Sequence, residues 1–203
     1  MAVQPIVEYY RLVDDGTGAA YNFENPSNPT AATLLDFGTV DAGQDTYEQN
    51  IANITATNNG CQVYAIYNNR GDGTNATSTM QNTILSVVNN EAGHQGNSDG
   101  DVYTGKWINV VLNDHSEITE TVQLGKGETN GTPDATETKL QLTALGINEQ
   151  TNAGEISGAA NGGTLTGEDT KNFARIKIWV HPELNAVAGP HKFRLRTTYS
   201  YTW

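Results

Sequence analysis

The side chains in this chain able to do acid–base, nucleophilic or metal chemistry are few and scattered. His94, His115, His181 and His191 stand far apart, and none forms the H-x-x-x-H spacing that brings two imidazoles to one metal ion. Cys61 is the only cysteine, so neither an internal disulfide nor a C-x-x-C redox pair exists. No G-x-S-x-G elbow and no phosphate loop appears. Asp14-Asp15-Gly16-Thr17-Gly18 carries the letters of an aspartic-protease D-T-G in the wrong order and only once. The best metal candidate is Asn97-Ser98-Asp99-Gly100-Asp101, with oxygen ligands at alternate positions as a calcium loop needs. A helix–loop–helix calcium site would continue with glycine at 102 and glutamate at 108, where this chain has Val102 and Ile108. An ordinary Asp-Gly turn is the expectation there, with a non-helical calcium site as the alternative. The chemistry therefore points away from an enzyme, and no cofactor is expected.

Recognition motifs are equally thin. Asn53, Asn75 and Asn130 each head an N-x-T glycan acceptor pattern, which a chain rich in Asn and Thr forms easily by chance. Arg70-Gly71-Asp72 spells an integrin-type tripeptide and reads as a turn. Trp107, Trp179, Trp203 and nine tyrosines could build a carbohydrate platform, but most alternate with aliphatic residues and read as core.

The elements around these residues read as strands. Thr, Asn and Gly make up about a third of the 203 residues, a composition that favours strands and turns over helices. The most regular stretch is His191–Trp203, where Phe193, Leu195, Thr197, Tyr199, Tyr201 and Trp203 alternate with polar partners. Asn172–His181 alternates too, with Ala174, Ile176, Ile178 and Val180 against Phe173, Arg175, Lys177 and Trp179. The two are expected to form an antiparallel pair joined by a loop with a proline at each end. Cys61–Asn68 is apolar on both faces, as a central strand would be. Thr79–Asn89 fits a helix or a strand by spacing, and a strand is favoured by its neighbours. Further strands are expected at residues 1–13, 47–58, 103–112, 118–124 and 140–144, and residues 33–44 read as a short strand, a glycine and a turn at Asp41-Ala42-Gly43. These elements define an all-β, antiparallel β-sandwich of about nine or ten strands with long Gly/Thr/Asn-rich loops. Residues 1–32 read as an N-terminal strand or arm with its connector. Residues 33–203 read as the sandwich domain, with a Gly-rich excursion near 146–170.

Charge bounds the partners. The net charge is −12, which disfavours nucleic acid and anionic membrane surfaces. No stretch approaches the roughly 20 apolar residues of a membrane helix, and the opening M-A-V-Q-P-I-V-E-Y-Y shows no secretory signal pattern. The imbalance is uneven: residues 171–203 carry +5 and the rest of the chain −17. That pattern fits a solvated face kept soluble by Lys and Arg, or a basic face that docks on an acidic patch.

Five stretches of the chain carry a family resemblance. Leu35–Gln44 (L-D-F-G-T-V-D-A-G-Q) followed by Asn53–Gly60 (N-I-T-A-T-N-N-G) resembles the opening of immunoglobulin-like sandwich modules. Ile66–Gly71, Lys106–Val110 and Ala188–Thr202 look like structural proteins of tailed-bacteriophage virions that carry such sandwiches. Together these pieces cover about a third of the chain, and the connectors at 14–32 and 146–170 depart from a minimal sandwich. The resemblance implies a non-enzymatic virion protein, a capsid decoration, neck or tail component, that assembles in many copies. Its partners would be other copies of itself and other virion structural proteins. On that reading the contact residues are Val3, Ile6, Val7, Tyr9, Tyr10 and Leu12 on the arm, and Arg175, Lys177, Arg194 and Arg196 on a basic face. An arm that pairs with a neighbour's sheet edge should be removable without unfolding the protein. A secreted or cell-surface filament subunit or adhesin is the alternative, and a carbohydrate-binding module a further one.

Overall fold

The structure is a computed structural model, and it describes residues 3–14, 21–23, 37, 40–44, 61–70, 75–88, 99–112, 121–129, 132–133, 136–145, 147, 149–160 and 171–202. Eleven strands lie within them: β1 (Val7–Asp14), β2 (Tyr21–Phe23), β3 (Cys61–Asn68), β4 (Gln81–Val87), β5 (Ile108–Leu112), β6 (Val122–Leu124), β7 (Glu128–Thr129), β8 (Thr132–Pro133), β9 (Leu140–Gln141), β10 (Phe173–Val180) and β11 (Leu195–Ser200). The only helices among the described residues are α1 (Gly100–Thr104) and α2 (Glu149–Asn152). The class is therefore all-β, with antiparallel pairing throughout.

Six strands form one sheet in the order β2-β1-β3-β10-β5-β6, and three form a second in the order β11-β4-β9. The central pair of the large sheet is β3 and β10, in register from Phe173 opposite Tyr67 to Trp179 opposite Cys61. Alternation in these two strands sorts their side chains cleanly. Tyr64, Ile66, Ala174, Ile176 and Ile178 join Ile108, Val110 and Leu124 on one face. There they meet Leu85, Val87 and Leu140 from the small sheet in a single hydrophobic cluster, with Leu195 and Tyr199 packed against it. Val63, Ala65, Tyr67 and Phe173 turn to the other face with Tyr10, where they form a second buried cluster. Both faces of the central strands are thus removed from water, which explains why β3 is apolar at nearly every position.

Three sequence expectations change here. β10 and β11 do not pair: β10 lies between β3 and β5, while β11 pairs with β4 in the other sheet. The connector 181–194 passes from one sheet to the other, which a period-two pattern cannot reveal. β11 also covers only six residues, and its register to β4 shifts between Thr198 and Ser200. Residues 103–112 are not one strand, because α1 ends in them and β5 begins at Ile108. In α1 the Tyr103 and Gly105 amides donate to the Asp99 and Asp101 carbonyls (3.1 and 2.8 Å), and the turn buries Val102 and Tyr103.

The N-terminal stretch is not an arm reaching outward. β1 pairs with β3 over Val7–Leu12 and with β2 over Leu12–Asp14, so it fills the chain's own sheet. Pro5 is buried just before β1, where its missing N–H disturbs no ladder. The strand expected over Thr79–Asn89 is present as β4. The strand expected at 47–58 lies outside the described residues, as do residues 33–36, 38 and 39. In the Gly-rich excursion, Ile156 is fully buried and exchanges two backbone hydrogen bonds with Met80 (2.9 and 3.0 Å), which ties that segment to the core.

Candidate assembly surface

The ten residues expected at contacts fall into three environments. Val3 and Ile6 precede β1 and are 51% and 48% exposed. Val7 and Tyr9 pack against the shared core, Tyr10 belongs to the second cluster, and Leu12 pairs through its backbone with Val63 and Phe23. The four basic residues do not make one face. Arg175 and Lys177 sit on β10 in the centre of the large sheet, where Lys177 is only 1% exposed. Arg194 and Arg196 are exposed at β11 in the small sheet. Alternation correctly put Lys177 opposite the aliphatic face of β10, but that second face is buried as well.

The N-terminal segment meets the rest of the chain at a knot of buried amides. Asn68 Oδ1 accepts from the Ile6 amide (3.2 Å) and the Thr77 hydroxyl (3.0 Å), and its Nδ2 donates to the carbonyls of Ser78 (2.9 Å) and Ile156 (3.2 Å). Asn69, with φ of 60°, donates from Nδ2 to the Asn75 and Gly158 carbonyls (2.8 and 3.0 Å). Asn172 Nδ2 donates to Ala159 O at 2.8 Å. Asparagine tolerates this left-handed backbone and offers both donors and an acceptor, so it suits a buried junction of several loops.

At the opposite end of the central strands, α1, residues 105–107 and the connector 181–194 meet. Asp99 anchors them: its Oδ2 accepts from the Lys192 amide at 2.8 Å and lies 3.7 Å from His191 Nδ1, while its own amide donates to Lys192 O at 2.9 Å. The proposed calcium loop is therefore, in its described part, a helix start whose first carboxylate already holds the chain. Residues 97 and 98 lie outside the described residues. Among the described residues no group of three His, Cys, Asp or Glu side chains is placed to hold a metal ion. No helix there is long and apolar enough to cross a membrane.

The connector itself is well held. Pro182 is buried and its carbonyl accepts from Gly43 N at 2.9 Å; Ala186 N donates to Glu183 O at 3.0 Å, and His191 Nε2 lies 2.8 Å from Val187 O. Gly43 has φ of 77°, and a Cβ there would lie 2.8 Å from Leu184 Cδ1, so glycine lets the two turns approach. From this fixed loop Leu184 and Val187 project into solvent, 84% and 70% exposed, the most exposed large apolar side chains among the described residues.

Two recesses flank the loop. A polar cleft of about 420 Å³ is lined by Asp101, Thr104, Gly105, Glu183 and Asn185. A smaller cavity of about 170 Å³ is walled by Phe37, Val40, Val102, Ile108 and Phe193 with the Trp107–His191 pair. Phe37 and Phe193 lie 6.1 Å apart and Trp107 and His191 4.8 Å apart, ring centre to ring centre. Trp107 and Trp179 are both buried, so neither offers a ring face to a sugar, and Trp203 is outside the described residues. Arg70, half-buried, stacks over Tyr10 at 3.6 Å, and Gly71 and Asp72 of the Arg-Gly-Asp tripeptide lie outside the described residues.

The sequence signal missed Leu184 and Val187. Two apolar residues in a proline- and glycine-bounded loop have no period, so only their exposure distinguishes them from core. Comparisons with protein-family models, with curated proteins and with solved structures find no match.

Proposed function

We propose that this chain is a non-enzymatic structural protein that assembles in many copies, a virion component of the capsid-decoration, neck or tail kind. The observation that carries the assembly reading is the loop 182–190, a fixed turn that holds Leu184 and Val187 in water. Exposing such side chains forgoes roughly 1.5–3 kcal/mol each, which a contact with another protein recovers. The fold fits a rigid building block: two antiparallel sheets share one cluster, and we read them as an immunoglobulin-like sandwich. The virion assignment rests on the resemblance of Leu35–Gln44, Asn53–Gly60, Ile66–Gly71, Lys106–Val110 and Ala188–Thr202 to tailed-phage structural proteins.

The contact surface in this reading differs from an exchanged arm. β1 is already paired within its own sheet, so the exposed loop replaces it as the main contact. Sedimentation velocity across a concentration series, with electron microscopy of the concentrated protein, tests this. Concentration-dependent association into regular multimers is expected. A single monomeric species at every concentration would overturn it. Mass spectrometry of purified virions against shed surface filaments separates the virion from the filament alternative.

A further inference from the structure

We propose that the polar cleft between α1 and the loop 182–190 binds a sugar, holding its hydroxyls between the Asp101 and Glu183 carboxylates and the indole N–H of Trp107. The site lies within one chain and stands whether or not copies associate.

The decisive group is the indole. Trp107 is 3% exposed, and its Nε1 is a buried donor without a hydrogen-bond partner. Such a donor is destabilising, and folded proteins rarely keep one without a use. Trp107 lines the cleft of about 420 Å³ together with Gly105. A Cβ on Gly105 would collide with Nε1. The N–H edge of the ring therefore meets the cleft wall at the one residue that has no side chain to cover it. The ring itself is packed in the core, so this edge, and not a stacking face, is what the indole offers a ligand.

The chemistry of the lining selects the ligand. Asp101 and Glu183, when ionised, accept hydrogen bonds and donate none, whereas an indole N–H only donates. What fills the cleft must present donors and acceptors on neighbouring atoms. Adjacent hydroxyls do so, since each oxygen gives one hydrogen bond and takes others. An ammonium or guanidinium group would satisfy the two carboxylates and leave the indole unmet. A phosphate or carboxylate would meet the indole and be repelled by both acids. Asn185 offers both kinds of group, and Ala186 and Val187 give an apolar strip for the C–H face of a sugar ring. The volume lies in the range of roughly 300–1,000 Å³ typical of small-ligand sites.

The walls are set in advance. Trp107 N donates to Val102 O (3.2 Å), and its carbonyl accepts from His181 N (2.8 Å) and Asn109 Nδ2 (3.3 Å). On the loop side, Gly43 N donates to Pro182 O (2.9 Å) and Ala186 N to Glu183 O (3.0 Å). Little ordering is left for binding to impose.

The indole N–H is its own reporter. Of the signals from three tryptophans, the ¹⁵N–¹H indole signal of Trp107 is the one missing from the spectrum of Trp107→Phe. Titration with glucose, galactose, mannose and N-acetylglucosamine should shift that signal saturably for at least one sugar, with the other two indole signals unmoved. Asp101→Ala and Glu183→Ala, both at exposed positions, should leave the melting temperature nearly unchanged and weaken that sugar's Kd about tenfold each. Trp107→Phe should weaken it comparably, as read by isothermal titration calorimetry.

If no sugar of this panel moves the Trp107 signal, or if one binds both alanine variants with unchanged Kd, the sugar site is refuted. If butylamine moves the signal and the sugars do not, the cleft takes a cationic side chain, and the sugar site is refuted as well. Sedimentation bears on assembly alone: a monomeric protein that binds a sugar here would sink the assembly reading and keep this site.

Discussion

Asn68 uses its full hydrogen-bonding capacity, two bonds at Oδ1 and two at Nδ2, to join the segments at Ile6, at Thr77–Ser78 and at Ile156. Truncation would strand several buried partners at once. Asn68→Ala should therefore cost on the order of 3 kcal/mol or more, read as a shift in the urea midpoint. Nothing in a chain with 22 asparagines singles this one out. Its role follows from where three loops converge, and local letters do not encode that. Lys177 is a similar case: lysine in an alternating strand reads as a wet residue until the second face proves to be covered. Tyr9 makes a bond that joins the two sheets, its hydroxyl donating to Thr197 Oγ1 at 2.7 Å. Burial raises its pKa above the ordinary value of 10.0, against the lowering effect of that bond. The folded state thus holds this proton more tightly than the unfolded chain does. The associated stability is intact below pH 10 and is lost as pH rises through the folded-state pKa. Tyr9→Phe should cost about 0.5–1.5 kcal/mol at neutral pH. It should also flatten the fall in melting temperature above pH 10, as followed by circular dichroism.

At the scale of elements, alternation gave the right faces and the wrong neighbours. The faces of β10 and β11 are legible because side-chain direction has a period of two. Their pairing is not, because a connector can return a strand to its own sheet or deliver it to another. β1 shows how the same gap affects a functional expectation. Its apolar residues on both faces looked like an arm seeking a partner, yet Tyr9 enters the shared core and Tyr10 the second cluster. Deleting residues 1–12 should consequently unfold the protein. Limited proteolysis and loss of the cooperative melting transition would register it, whereas a soluble, folded deletion product would show that β1 is dispensable. The turn at Asp41–Gln44 was legible from its Asp-Ala-Gly letters, and Gln44 N does donate to Asp41 O at 3.1 Å.

For the whole molecule, the division of charge takes on a different meaning once the fold is known. A single basic face docking on an acidic neighbour would make association weaken with salt. Because Lys177 is buried and Arg196 lies in the other sheet, that face does not exist. What remains at long range is repulsion between copies that each carry −12. Raising salt from about 10 mM to about 150 mM shortens the screening length to about 8 Å. Association through the apolar loop should strengthen over that interval, and sedimentation equilibrium at the two salt levels measures it. Weakening would mean that a charged contact dominates after all.

The place of β10 has a consequence for how the protein is made. β3 and β5 leave the ribosome well before β10, the strand that must lie between them. At about 5–20 residues per second, the stretch from Asn68 to Phe173 takes roughly 5–20 s to synthesise. For that interval the nascent chain holds sheet edges that its own sequence cannot yet close. The portion already made is the one carrying the acidic excess, and like-charged chains on neighbouring ribosomes repel one another. The segment that completes the large sheet is also the one that brings the positive charge. Charge order along the chain thus follows the order of sheet closure: the acidic portion is made first, and the strand that completes the large sheet comes with the basic portion.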